Sequence, residues 1–257
     1  MARTYLESLW KAIQGETETD TLICQVQAAK EIIDEVGEGI LNQEAVDALA
    51  KLLIENYHKS DERIKENNEM VKNNGDEAEV DEDEAIDEDD LEVIKEENNN
   101  EYDLQLSIAE IMGVLFKTHA DICQNLINEL FTSILQPALH SSEKQKIKFG
   151  LFVMCDMVEY LGPVYLGAHY STVAREIIKY SNSNIAAVRQ ASSYGIGIMA
   201  EKAGPHFAEI ANDCLMGLKL AIVYQMPASV KEKKNKAKQF MHAKDNAVSA
   251  LGKVIKY

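Results

Sequence analysis

Apolar residues recur at intervals of three and four along most of the chain, the spacing that lines one face of an α-helix. Leu6, Leu9, Trp10 and Ile13 form one such stripe, and Val26, Ala29, Ile32, Ile33 and Val36 form the next. A third is Ile122, Leu126, Ile127, Leu130, Ile134 and Leu135. The most regular is Phe207, Ile210, Ala211, Cys214, Leu215, Leu218 and Ile222. No stretch alternates with the two-residue period of a strand. The pattern predicts an all-α protein. The segment Ile185–Ala203 is apolar on two sides, with Val188, Ala191 and Ile198 on one and Ile185, Ile196 and Met199 on the other. Such a helix is expected to be packed between neighbours.

The helices repeat. Leu161-Gly162-Pro163 and Ala203-Gly204-Pro205 each close one apolar helix and open another, with the two prolines 42 residues apart. Glycine suits the left-handed residue after a helix, and proline suits the first turn of the next. Ile147-Lys148 through Val158 aligns with Val188-Arg189 through Met199 at an offset of 41, and Tyr194–Gly197 aligns with Ser249–Gly252 at 55. The extra length falls in the Lys-rich stretch Ala228–Lys238. A period of about 40–47 residues per helical hairpin is that of a HEAT-type solenoid. The expected architecture is a HEAT-repeat α-solenoid, a superhelix of about five hairpins spanning 1–257 as one unit. Outer helices are expected near 3–14, 42–58, 120–140, 163–181 and 205–225, and inner helices near 21–37, 101–117, 143–161, 184–203 and 235–256. Neither end carries the polar face of a capping repeat, so the chain reads as a piece of a longer superhelix.

Charge changes this picture in one place. The chain carries 26 Lys+Arg against 43 Asp+Glu, a net of −17, but Asp76–Glu97 holds fourteen acidic residues and only Lys95 as a base. Low hydrophobicity and self-repulsion keep such a segment from packing, so 60–100 reads as an acidic, disordered loop inserted in the second hairpin. Its densest part is Asp81, Glu82, Asp83, Glu84, Asp87, Glu88, Asp89 and Asp90. Whether it attracts a basic partner or only solvates the chain stays open. Asp81, Asp83, Asp87, Asp89 and Glu92 mimic part of a calcium loop, but Ile86 stands where the turn needs glycine. Lys231, Lys233, Lys234, Lys236 and Lys238 read as a solvated inter-helix loop, with a localisation signal or contact with the acidic loop as lesser readings. No basic face is broad enough for a phosphate backbone, so no direct nucleic-acid binding is expected. No apolar run approaches the ~18–20 residues of a membrane span, and no membrane partner is expected.

Catalytic and metal chemistry lack their usual patterns. Cys24, Cys123, Cys155 and Cys214 lie 99, 32 and 59 residues apart, too sparse for a disulfide framework or a CxxC metal motif, and read as small buried hydrophobes of a reducing compartment. The six histidines fall on separate hairpins. Gly195-Ile196-Gly197 follows no strand, so it is no dinucleotide fingerprint; its small residues let helices approach closely. No catalytic residue, cofactor or metal is expected, and the chain is read as a non-enzyme.

The run Val188-Arg189-Gln190-Ala191-Ser192-Ser193-Tyr194-Gly195-Ile196-Gly197-Ile198-Met199-Ala200 resembles an inner helix of the importin-β-like karyopherins, closest to the karyopherin-beta-3 (importin beta-3) branch. Gly150-Leu151-Phe152 through Asp156-Met157-Val158-Glu159, the acidic insertion, and Asp245 through Lys253 match that branch in order, so the resemblance covers essentially the whole chain as a C-terminal portion. It implies a nuclear transport receptor that shuttles between cytoplasm and nucleus. It implies as partners basic protein cargo with localisation signals and Phe-Gly nucleoporins. Ran GTPase is implied for the full-length receptor, since the family's N-terminal Ran-binding repeats have no counterpart here. Inner helices of that family line the cargo surface, which nominates Asp156, Glu159, Arg189, Asp245, Asn246 and Ser249 as protein-binding residues. For Arg189 the competing reading is a structural one, as part of a polar ladder between repeats. A HEAT-repeat scaffold of a multiprotein complex is the alternative function, and an acidic histone-chaperone-like protein a third.

Overall fold

The computed structural model describes residues 1–73, 88–231 and 233–257, and among them the regular structure is helical throughout. The chain divides into two compact units, Met1–Val114 and Leu115–Tyr257, where one continuous unit was expected. In a repeat array each hairpin touches only its neighbours, so compactness is a local property.

The first unit opens with α1 (Ala2–Gly15) and α2 (Thr19–Val36), with Leu6, Ile13, Leu22, Val26, Ala29 and Ile33 in its core. Gly37, at φ 73°, stops α2 in the left-handed region, and its N–H closes on the Ile33 carbonyl at 2.9 Å. Asn42 then caps α3 (Gln43–Asn73) through its side-chain oxygen on the Ala45 N–H at 3.0 Å. α3 and α4 (Glu88–Thr118) run antiparallel. Ser60 meets Gln105, Arg63 meets Glu101, and Asn67 meets Asn98. α2 and α4 run parallel, since Thr19 meets Glu101, Gln27 meets Ser107 and Lys30 meets Glu110.

Glu101 is the knot of this unit. It is 4% exposed, and Arg63 grips it with Nε at 2.6 Å and an Nη at 2.8 Å while the Thr19 hydroxyl donates at 2.6 Å. The bidentate fork and the added hydroxyl supply the donors that a desolvated carboxylate needs. One buried acid thereby ties together α2, α3 and α4.

The second unit continues with a 3-10 turn at Ala120–Ile122 and α5 (Gln124–Leu130). A π turn at Phe131–Leu135 carries α5 into α6 (Gln136–His140). α7 (Lys144–Asp156) passes through a second π turn, Met157–Leu161, into α8 (Gly162–Leu166). A 3-10 turn at Gly167–His169 leads to α9 (Tyr170–Lys179), and another at Tyr180–Asn182 precedes α10 (Ala186–Lys202). After a 3-10 turn at Gly204–His206 come α11 (Phe207–Val223), α12 (Ala228–Lys231) and α13 (Lys234–Lys256). Gly162 and Gly204 hold φ of 55° and 54°, as the two Gly-Pro corners predict.

The 41-residue offset of the sequence reappears in space. Asn128 bonds His169 at 3.0 Å, and the Tyr180 hydroxyl donates to the Leu139 carbonyl, each pair 41 residues apart. α10 is the centre of the unit, packed against α7, α9, α11 and α13. From Ser192 to Ala200 every residue except Tyr194 is buried. Gly195 makes this close approach possible, because a Cβ there would stand 2.8 Å from Ile177 Cγ2 and 2.9 Å from Cys155 Sγ.

Three sequence expectations need correction. Residues 60–73 and 88–100 are helical where a loop was expected, because α3 continues to Asn73 and α4 begins at Glu88. The apolar Ile64 at 1% exposure and the Arg63–Glu101 pair hold these polar stretches helical. The Lys-rich stretch is not wholly a loop, since Lys234, Lys236 and Lys238 belong to the first turns of α13. Finally, Lys144–Asn182 does contain an 18-residue window apolar enough to cross a membrane, but 56% of that window is buried in the protein and Gly162 and Gly167 break the run with left-handed φ. Its apolar character belongs to a core.

Arg63→Ala should strand Glu101 as a buried, half-satisfied carboxylate and cost about 2–3 kcal/mol, read as a lower urea midpoint. Lys30→Ala, which breaks the more exposed pair with Glu110, should cost no more than about 1 kcal/mol. Burial, joined by the charges of Asp156 and Glu159, pushes the Cys155 thiol well up, and burial beside Asp213 pushes Cys214 up to about 12. An aromatic disulfide reagent at pH 8 should therefore modify exposed Cys24 first, with Cys123, Cys155 and Cys214 reacting only on unfolding.

Candidate functional site

α7, α10 and α13 pack side by side and run parallel, so their matching positions come together. The Cys155 thiol donates to the Ala191 carbonyl at 3.5 Å, and the Tyr194 hydroxyl donates to Glu159 Oε2 at 2.8 Å. Farther along, Lys253 Nζ bonds Glu201 Oε2 at 2.9 Å. Gly197 sits against α13, where a Cβ would lie 3.4 Å from Ala250 Cα and 3.2 Å from Lys253 Cδ. The backbones of α10 and α13 are close because this side chain is missing.

The structure gathers most of the nominated residues around Tyr194. Asp156 closes α7 and Glu159 lies in the π turn after it, both half-buried. The widened turn presents Glu159 to the Tyr194 hydroxyl. On α13, Asp245 is exposed, Asn246 half-buried and Ser249 exposed. Asn246 and Ser249 line a cleft of about 70 Å³ together with Ser193, Tyr194, Gly197, Ala250 and Lys253. Tyr194 is 44% exposed, and Phe152 and Tyr160 add aromatic surface on α7 and in its π turn. Burial, then the hydrogen bond to Glu159 and that carboxylate's charge, holds the Tyr194 phenol well above its ordinary range. It remains a neutral donor at every physiological pH.

Arg189 does not belong to this surface. It is 1% exposed, with its guanidinium carbon 4.0 Å from the Tyr224 ring centre and 4.7 Å from that of Phe240. One Nη donates to the Ser183 carbonyl at 2.6 Å, while Nε finds no partner. Burial lowers its pKa, opposed by the Tyr224 phenol, and the guanidinium remains a cation. Its contacts are stacking contacts between two aromatic rings rather than those of a polar ladder. It clamps α10 to α13 and to the segment after α11.

Of the acidic insertion, Asp81, Glu82, Asp83, Glu84 and Asp87 lie outside the described residues, and so does most of the calcium-loop mimic. Glu88 opens α4, and Asp89 and Asp90 are exposed on its first turn. Tyr194, Ser193, Glu201 and Lys253 were not nominated from the sequence. Tyr194 stands within the inner-helix motif, yet its exposure on an otherwise buried helix follows from where the neighbouring helices stop covering it.

No family model matches the chain. Among solved structures, the karyopherin Kap121p bound to the SUMO protease Ulp1p matches 98% of this chain with a TM-score of 0.70 at 17% identity, over 21% of the length of Kap121p. Kap121p bound to Nup53p matches 96% with a TM-score of 0.66 at 17% identity, over 20% of its length. Kap121p bound to Pho4p matches 99% with a TM-score of 0.66 at 17% identity, again over 20%. The chain thus spans about a fifth of the structures it resembles. It has the all-α HEAT-repeat fold that these karyopherins display.

Arg189→Ala should remove both ring contacts, leave a cavity and cost about 3 kcal/mol in thermal or urea unfolding. Arg189→Lys should recover little, because an ammonium cannot lie flat between the two rings.

Proposed function

We propose that this chain is a stretch of a nuclear transport receptor of the importin-β-like karyopherin kind, closest to the karyopherin-beta-3 branch. It binds basic protein cargo and Phe-Gly nucleoporins, and the whole receptor shuttles between cytoplasm and nucleus under the control of Ran. One observation carries this reading. Parallel packing of α7, α10 and α13 brings Asp156 and Glu159 beside an exposed tyrosine, with Asn246 and Ser249 along the adjoining cleft, in the fold of a karyopherin. Carboxylates near a wet aromatic surface attract and orient lysine- and arginine-bearing segments. The role is binding, with no bond made or broken. That Kap121p has been crystallised bound to Nup53p and to Pho4p supports protein binding as the role of this fold.

A scaffold subunit is the second reading. In its favour, Met216, Leu220 and Val223 make an exposed apolar stripe along α11, the kind of surface a permanent partner covers.

Immobilised chain should retain a lysine-rich localisation peptide and a Phe-Gly repeat peptide, with the first interaction weakening as salt is raised. The variant combining Asp156→Asn, Glu159→Gln and Asp245→Asn should lose about tenfold in affinity for the basic peptide, measured by fluorescence anisotropy. If neither peptide binds while one fixed protein partner is held tightly, the scaffold reading replaces the receptor.

A further inference from the structure

We propose that the lysine-rich start of α13 is a docking surface for an acidic segment of a partner protein, one whose carboxylates are followed by apolar side chains. The inference goes beyond the surface for basic segments and does not rest on it, since the charge recognised is the opposite one.

Lys233, Lys234, Lys236, Lys238 and Lys244 stand within residues 233–244, a stretch that holds no acidic residue. In a chain of net charge −17 this is a reversal of sign confined to the first turns of one helix. The first four lysines are exposed, and none of them makes an ion pair with another described residue. Several lysines elsewhere are tied to carboxylates: Lys30 to Glu110, Lys65 to Asp61, Lys179 to Glu176 and Lys253 to Glu201. Lys234 and Lys238 instead face each other as like charges one turn apart. The first turn of α13 holds no acidic residue and Lys233 supplies no side-chain cap, so the positive end of the helix dipole adds to the lysines.

A separate source of positive potential lies in the core beside them. Arg189 is 1% exposed, meets no carboxylate among the described residues and leaves its Nε without a partner. Its guanidinium carbon is 4.7 Å from the Phe240 ring centre, and Lys244 Nζ stands 5.8 Å from the same ring. A ring attracts a cation without cancelling its charge. A buried charge without a counter-ion is costly, and an anion brought to the nearby surface recovers part of that cost.

The kind of anion follows from the pattern along the helix. Lys234 and Lys238 share a face with Met241, 51% exposed, and with Val248, 56% exposed. Asp245 is exposed on that face between the two apolar residues, so the partner's carboxylates must end before it. A face that reads cation, cation, apolar fits a segment that reads acid, acid, apolar. Residues 233 to 238 cover about 8 Å of helix axis, the reach of a few carboxylates. A nucleic-acid strand carries its phosphates well past that length and onto an acidic chain.

The test uses the whole 257-residue chain and a fluorescein-labelled, end-blocked peptide of three glutamates followed by two leucines, with the glutamine counterpart as control. By fluorescence anisotropy the glutamate peptide should bind at least about tenfold tighter than the glutamine one, with the gap closing as salt is raised. Lys234→Gln combined with Lys238→Gln should remove that advantage, and Met241→Ser should weaken binding about threefold. Thermal melts confirm that the variants are folded. Lys234→Glu, which places an acid where a helix start favours one, keeps the test open if the double variant does not fold. Equal binding of the glutamate and glutamine peptides, or binding that ignores the changes at Lys234 and Lys238, overturns the proposal. A ten-nucleotide uridine strand and phosphatidylserine vesicles are titrated alongside. If either binds through the same lysines more tightly than the glutamate peptide, the partner is no acidic protein segment and the proposal falls. None of these failures touches the surface for basic segments, which the lysine-rich localisation peptide tests separately.

Discussion

Everything in the second unit depends on how closely α10 can be approached. A single hairpin buries one stripe of each helix and leaves the other face wet, so it gains stability only when a neighbour covers that face. α10 is covered by helices before and after it, and the condition for this is steric. Gly195 lets Ile177 and Cys155 press against the backbone, and Gly197 does the same for Ala250 and Lys253. With larger side chains there the neighbouring helices would stand off, and the apolar residues from Val188 to Met199 would lose their partners.

The same close approach shapes the candidate surface around Tyr194. Tyr194 is the one residue between Ser192 and Ala200 left exposed. Parallel packing then sets Glu159 at one side of it and Asn246 and Ser249 at the other. Charged groups that would disturb the region are tied off nearby. Lys253 is paired with Glu201, and Arg189 is folded away between Tyr224 and Phe240. Adjacent residues of one helix are either packed in the core or left at the surface, with the dividing line drawn by burial.

The first unit solves the packing problem with polar chemistry. Glu101, nearly inaccessible, collects donors from two other helices, and Gln27–Ser107 and Lys30–Glu110 continue the contact between α2 and α4. Buried polar groups of this kind demand particular partners, so they specify which residues face each other more sharply than apolar stripes do. Arg63 and Glu101 lie 38 residues apart, on either side of the most acidic segment of the chain. Their pairing explains why α3 and α4 remain helical beyond the apolar pattern that announced them.

The sequence alone was sufficient for the all-α class, the helix pairs, the 41-residue repeat and the Gly-Pro corners, because these follow from local periodicity and backbone conformation. It nominated Asp156, Glu159, Asn246 and Ser249, and the structure sets Glu159 at the Tyr194 hydroxyl and Asn246 and Ser249 along the cleft beside it. It could not show that Arg189 is buried between rings brought from residues 224 and 240, or that Tyr194 is the exposed member of its motif. Nor could it show that residues 60–73 and 88–100 are helical despite their polarity. Those outcomes depend on contacts between residues distant along the chain, and only the packing of one helix on another decides which side chains are covered.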